Sequence, residues 1–178
     1  MTVLLLVFVA VGTVVAVKNL GLFELDGDAF NEALVPGDDW DDVYEDWMGV
    51  GSSNADVVFW AADPYSGGDT VDDIFTGGST KDDLPINGKS SWLWKTGVPT
   101  SDKTDLEHGF AAAYTDPGTG DVIVYFGADR YANNGDSQIG FWFFKDDVAK
   151  TDIPEGGGFL FDGNHEVGDI LVLSDFTQ

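Results

Sequence analysis

The sequence predicts an all-β protein, an antiparallel β-sandwich or jelly roll with at most one short helix. Two apolar runs, at residues 122–126 and 139–144, alternate with the period of two that is typical of β-strands. Shorter apolar runs recur along the chain between turns rich in glycine and aspartate. Many short strands separated by such turns are the usual pattern of sandwiches and jelly rolls.

The two long runs are expected to form a central hairpin. Both carry large side chains on alternate positions of both faces, so each face needs a covering layer. The hairpin is therefore predicted to lie inside the sandwich, with residues 128–137 as its connecting loop.

The other elements follow in chain order. Phe23 and Leu25 predict a first strand that ends in a turn at Asp26 and Gly27. Residues 105–114 fit either a strand or a helical turn, because their alanines favour a helix and Gly109 does not. Polar turns or connections are expected at 77–83 and 145–158. The remaining predicted strands are 55–61, 74–76, 92–94, 159–161 and 169–173.

The composition excludes several classes of protein. The chain has 32 Asp and Glu against 8 Lys and Arg, a formal charge of −24, so nucleic acid and anionic membranes are poor partners. With 43% hydrophobic residues the chain has enough apolar surface to fold. A salt-rich habitat and bound divalent cations both explain the acidity, and the two can coexist. Cysteine is absent, so stability depends on packing and bound cations rather than on disulfides.

An apolar run at residues 3–17 is too short for a typical membrane span and has the length of a signal-peptide core. Cleavage is expected after Ala16, because Val14 and Ala16 are small residues at the usual spacing. Residues 1–16 are therefore predicted to be a signal peptide, followed by a single domain at 17–178. The alternative is that the segment is retained and packs against neighbouring subunits.

Two acidic segments are candidate calcium sites. One is the hairpin loop, which offers four oxygen ligands to a hard cation: Asp129, Asn133, Asn134 and Asp136. The other surrounds Trp40 with four carboxylates: Asp38, Asp39, Asp41 and Asp42. Neither has EF-hand spacing. The first is equally explained by a turn at Asn134-Gly135, and the second by a solvated loop that covers Trp40.

Trp40, Trp92 and Trp94 are candidate ligand-binding residues, because an exposed aromatic face can stack on a sugar ring. Burial in the core is the competing interpretation for Trp92 and Trp94. Arg130, the one arginine of the sequence, is expected to pair with a carboxylate. The motifs of serine hydrolases, zinc enzymes and phosphate-binding loops are missing, so an enzyme is not expected.

A set of motifs in a fixed order resembles a poorly characterised acidic domain found near the N-terminus of large bacterial exoproteins that carry Ig-like repeats. The motifs are LFELDG at 22–27, DDWD at 38–41, GGSTKDD at 77–83, YFGADR at 125–130, GFWFF at 140–144 and VGDILVLSDF at 167–176. The resemblance implies an extracellular, β-rich, adhesive module. Such domains continue into repeats, so this chain is expected to be either a fragment or a self-assembling subunit.

Two hypotheses for function follow. The first is a non-catalytic binding or adhesion module of a secreted or surface protein, stabilised by calcium, with a cell-surface glycan or protein as its partner. The second is a structural subunit of an extracellular filament or surface layer, which binds copies of itself through the retained segment 1–16.

Overall fold

In a computed structural model of the chain, the described residues are 21–26, 28–32, 35–63, 72–76, 85–87, 92–98 and 100–176. The predicted signal segment at 1–16 and the predicted turn at 77–83 lie outside these ranges. No helix of the described residues has both the length and the apolar character needed to cross a bilayer.

In the described ranges the fold is mostly β, with several antiparallel sheets and one short helix, which confirms the predicted fold class and is consistent with a β-sandwich. The helix α1 is Trp40–Trp47. The strands are β1 Val57–Ala62, β2 Ile74–Thr76, β3 Leu93–Lys95, β4 Leu106–Thr115, β5 Val122–Arg130, β6 Ser137–Phe143, β7 Ala149–Glu155, β8 Gly158–Asp162 and β9 Ile170–Phe176. They form sheets in the orders β1-β4-β5, β2-β3-β8-β7 and β6-β9.

The central hairpin predicted between 122–126 and 139–144 does not form. Strand β5 pairs with β4, whereas β6 pairs with β9 from Ser137↔Phe176 to Phe143↔Ile170. The two apolar runs meet through side chains instead, because the Phe126 ring lies 4.9 Å from the rings of both Phe141 and Phe143. Alternation identified both strands correctly, but it does not determine which strands pair.

A strand that the sequence did not reveal, β7, lies in the predicted polar connection. It pairs with β8 through Glu155↔Gly158, which leaves the two-residue turn Gly156-Gly157 with φ values of 56° and 90°. Both turn residues need positive φ, and glycine adopts it without strain. Pro154 is tolerated because β7 is the edge strand of its sheet.

The chain divides into two compact units: residues 1–59 with 111–125, and residues 60–110 with 126–178. The prediction of one domain at 17–178 stays a prediction. The boundary falls within β1, β4 and β5, so each unit contains a part of each of these three strands.

In the first unit the core contains Phe23, Val43, Ala112 and Tyr114. The Phe23 ring stacks on Tyr125 with the ring centroids 4.6 Å apart. Residues 21–25 do not form the predicted strand. They contribute a single parallel bridge, Phe23↔Asp38.

In the second unit the core is centred on Trp92. Its ring lies within 6 Å of five other rings, measured between centroids: Phe75, Trp142, Phe144, Phe161 and His165. Residues 105–114 are strand rather than helix, because Leu106–Thr115 is β4.

Candidate functional site

A short backbone bridge brings two distant acidic residues together in the first unit. The Glu24 amide donates to the Asp38 carbonyl at 2.8 Å, and the Asp38 amide donates to the Leu22 carbonyl at 3.1 Å. The bridge therefore places Glu24 beside the residue that follows Asp38, which is Asp39. Gly37 permits this close approach, because a Cβ there would lie 2.8–3.0 Å from backbone atoms of Phe23.

Asp39 is also the N-cap of helix α1, so the predicted acidic loop is in part a helix. Its side chain accepts a hydrogen bond from the Trp40 amide at 2.6 Å. The Asp39 amide donates to the side chain of Asp42 at 3.1 Å, which completes a capping box. The carboxylates at the start of this segment thus begin a helix instead of repelling one another in a loop.

Three carboxylates converge at this point. Glu24, Asp26 and Asp39 each offer one oxygen, and these oxygens all lie within 4.8 Å of one another. Glu24 is only 3% exposed and Asp39 only 1% exposed, whereas Asp26 is open to solvent. Glu24 Oε1 and Asp39 Oδ2 are buried without a hydrogen-bond donor. A second group, Asp26 with Asp28 and Glu32, lies entirely at the surface.

The pKa of Asp39 is raised by this arrangement. Burial, together with the negative charges of Asp26 and Glu24, raises the pKa of its carboxyl group to about 6, against the opposing hydrogen bond from the Trp40 amide. Buried polar atoms are usually hydrogen-bonded, so a donor-less buried oxygen on each of two carboxylates of one group requires an explanation.

The other predicted carboxylates of this segment already have donors. Asp38 accepts hydrogen bonds from the Asn54 amide and side chain, both at 2.6 Å, and from the Tyr114 hydroxyl at 2.9 Å. Asp41 accepts from the Asn31 amide at 3.1 Å, and Asp42 from the Asn31 side chain and the Asp39 amide. Of the four residues predicted here as ligands, only Asp39 belongs to the three-carboxylate group.

The second predicted cation site, the loop after β5, has a different arrangement. Asp129 lies within β5 and contacts His108 Nδ1 through both oxygens, at 2.9 and 3.0 Å. Asn133, Asn134 and Asp136 are exposed, and Gly135 between them has a φ of 76°. This positive φ fits the alternative of a turn at Asn134-Gly135. The role of this loop in binding a cation stays a prediction.

The three predicted ligand-binding tryptophans differ in accessibility. Trp92 is 2% exposed and so offers no ring face to a ligand. Trp94 is half-buried, donates through Nε1 to the Thr151 carbonyl at 3.0 Å and lies under the Lys150 ammonium. Trp40 is half-buried against Phe23, with the ring centroids 4.6 Å apart. A binding role for Trp40 and Trp94 stays a prediction.

Two aromatic residues that the sequence reasoning missed are more accessible. Tyr44 is 42% exposed and Trp47 is 45% exposed, and their ring centroids lie 6.1 Å apart. Tyr44 follows Trp40 by four residues and Trp47 follows Tyr44 by three, so the three aromatic residues share one face of α1. Met48 and Val50 extend this exposed surface beyond the helix. Recognising the capping box would have revealed the face from sequence.

The second unit contains two histidine–carboxylate pairs, and Arg130 lies beside Lys103. His165 Nδ1 lies 3.2 Å from Asp169 Oδ2, and the other pair is His108 with Asp129. Arg130 donates to the Lys103 carbonyl at 3.1 Å and lies over the Phe176 ring, and within the described part of the chain it does not form the expected pair with a carboxylate. The cavity beside Arg130 and Lys103 measures about 110 Å³, well below the usual size of a ligand pocket.

Comparisons of the chain with protein-family models, with curated proteins and with solved structures found no match.

Proposed function

We propose that this chain is a non-catalytic interaction module of a secreted or cell-surface protein, and that helix α1 binds a basic segment of a partner protein. The observation that carries the proposal is the exposed pair Tyr44 and Trp47, continued by Met48 and Val50. Tyrosine and tryptophan are the residues most enriched among those that dominate binding energy at protein interfaces.

The charge around this face determines the chemistry of the partner. Helix α1 carries four carboxylates and has no basic residue in its last turn: Asp41, Asp42, Glu45 and Asp46. The C-terminal end of a helix adds a further partial negative charge near Trp47. Lysine and arginine side chains can pair with these carboxylates and lie over the two aromatic rings. A basic polypeptide is therefore favoured over a neutral glycan.

The extracellular assignment has separate support. The apolar run at 3–17, which has the length of a signal-peptide core, supports an extracellular location. The resemblance to exoprotein domains supports the same location.

The test uses a nine-residue oligoarginine peptide as the probe and isothermal titration calorimetry as the measurement. A chain with a charge of −24 attracts any polycation, so the decisive comparison is between variants of equal charge. Trp47→Ala is expected to weaken binding about tenfold or more at moderate salt, because an aromatic anchor contributes at least 1.4 kcal/mol. Phe59→Ala, which removes an exposed aromatic side chain on β1, is the matched control and is expected to bind as the original chain does.

Equal affinity of the two variants would mean that only general electrostatic attraction operates, and the proposal would be wrong. If the chain instead binds insoluble polysaccharide, independently of salt, and Trp47→Ala abolishes that binding, the partner is a glycan and not a basic polypeptide. Sedimentation velocity gives a third outcome, because Trp47-dependent self-association would favour the filament hypothesis instead.

A further inference from the structure

We infer that Glu24, Asp26 and Asp39 form a calcium-binding site that fastens the segment before helix α1 to the N-terminus of that helix. This site is independent of the proposed partner of α1. It differs from both calcium sites expected from the sequence, since it shares only Asp39 with them.

Two carboxylate oxygens in this group have no hydrogen-bond donor among the described residues. Glu24 Oε2 accepts a weak hydrogen bond from the Glu32 amide at 3.4 Å, and Asp39 Oδ1 accepts from the Trp40 amide, so each carboxylate has one satisfied oxygen. Their other oxygens, Oε1 and Oδ2, are buried and have no donor. Glu24 and Asp39 therefore each keep one buried oxygen without a donor, in a group where Glu24, Asp26 and Asp39 each offer an oxygen within 4.8 Å of the others. What the group lacks is a positive charge.

The chemistry of the ligands also favours calcium. All three are carboxylates, and no histidine belongs to the group, which suits a hard cation better than zinc or copper. In a calcium shell the ligand distances of 2.3–2.6 Å place opposite oxygens up to about 5 Å apart, whereas a magnesium shell limits them to about 4 Å. The three oxygens lie within 4.8 Å of one another, which fits a calcium shell, and calcium also tolerates an irregular ligand geometry that magnesium does not. Asp26 lies on the solvent side, where water can complete the coordination.

The helix dipole opposes a cation at this position. A helix N-terminus carries about half a positive charge, and it acts on any ion near Asp39. Three carboxylates outweigh it by a wide margin, and the capping hydrogen bonds to Asp39 and Asp42 already satisfy part of that end of the helix. The net field at the site therefore favours a divalent cation.

The consequence for the fold is a cross-link between separate parts of the chain. Glu24 and Asp26 follow Phe23 on one side of the Phe23↔Asp38 bridge, and Asp39 follows Asp38 on the other side as the N-cap of α1. Calcium bound to all three supplements the two backbone hydrogen bonds of the Phe23↔Asp38 bridge.

The experiment measures calcium binding by calorimetry on chelator-treated protein, and thermal stability with CaCl₂, with MgCl₂ and with NaCl at the same ionic strength. The NaCl series is essential, because any salt screens the charge of −24 and stabilises the fold. Calcium at about 100-fold above Kd is expected to raise Tm by about 5–10 °C beyond the NaCl effect. Magnesium is expected to have a smaller effect.

Three variants test the ligands. Glu24→Gln and Asp26→Asn each remove one charge with little change of shape, and each is expected to weaken calcium binding at least tenfold. Asp121→Asn removes one charge from an exposed side chain of the same unit and is expected to bind calcium as the original chain does. In chelator, Glu24→Gln is expected to be at least as stable as the original chain, since it relieves repulsion in the site. The stability of Glu24→Gln in chelator therefore shows whether weaker calcium binding comes from the lost ligand or from a damaged fold.

A calcium effect no larger than that of NaCl would overturn the inference. So would a calcium affinity of Glu24→Gln equal to that of Asp121→Asn, because the buried oxygen would then have no part in binding.

Discussion

Tyr114→Phe tests whether one buried carboxylate holds the first unit together. Asp38 accepts three hydrogen bonds from residues far apart in sequence, two from Asn54 and one from Tyr114, whose hydroxyl lies 2.9 Å from Asp38 Oδ2. A hydrogen bond to a charged group contributes about 1.5–3 kcal/mol to stability. We expect the lower end, about 1.5 kcal/mol, because the Asn54 donors remain. For a chain of this length that corresponds to a fall in Tm of about 3–6 °C.

Urea unfolding followed by tryptophan fluorescence is the assay, with a lower midpoint and an unchanged slope as the expected result. Tyr125→Phe is the matched control. It also removes a tyrosine hydroxyl from the first unit, but among the described residues that hydroxyl has no hydrogen bond, so its loss is expected to cost less than about 0.5 kcal/mol. Equal destabilisation by the two variants would refute the role of Asp38.

The same variant has a distinct response to alkaline pH. Burial and the hydrogen bond to Asp38 raise the pKa of Tyr114 above its ordinary value of 10.0. Above that pH the unfolded chain loses the proton while the folded chain keeps it, so stability falls as pH rises through this range. Tyr114→Phe is expected to lose less stability than the original chain between about pH 9.5 and 11. Parallel pH profiles would contradict this account.

Two further predictions concern other positions. Asp105→Asn is expected to raise Tm at neutral pH, because burial and the charge of Asp72 raise the pKa of Asp105. As pH falls toward 4, the folded state of the original chain takes up this proton before the unfolded state does, so the original chain should gain stability relative to the variant. Differential scanning calorimetry measures the difference in Tm between the two proteins, and a difference that does not change with pH would contradict the prediction. Gly37→Ala is expected to destabilise by about 2–3 kcal/mol in urea, because its φ of 131° and its contact with Phe23 exclude a Cβ; an unchanged midpoint would count against the close bridge.

The sequence predicted the fold class well because strand periodicity is a local property. The runs that became β1, β2, β8 and β9 are each short, apolar and bounded by turn residues, and each is found near its predicted position. Pairing is not local, which explains the error over β5 and β6. Rings of β5 and β6 do contact each other, but the two strands belong to different sheets. Alternation along one strand is the same whether its neighbour pairs with it in one sheet or packs on it from another.

The candidate calcium site was harder to predict for a related reason. The density of carboxylates at 38–42 predicted a calcium site or a solvated loop, whereas the spacing of Asp39 and Asp42 is that of a capping box. Glu24 appeared to be an ordinary polar residue between Phe23 and Leu25. Only the bridge to Asp38 buries it beside Asp39, and a contact across fourteen residues of chain has no sequence signal of its own.

The order in which the two compact units are encoded has a consequence during synthesis. Residues 111–125 emerge from the ribosome after the intervening stretch 60–110, yet they supply Ala112, Tyr114 and Tyr125 to the earlier unit. At ordinary translation rates this leaves the nascent N-terminal portion without its remaining core for a time on the order of seconds. During that interval Phe23 lacks the Tyr114 and Tyr125 rings that pack against it in the folded unit, and a chaperone that holds nascent chains can bind at that stage.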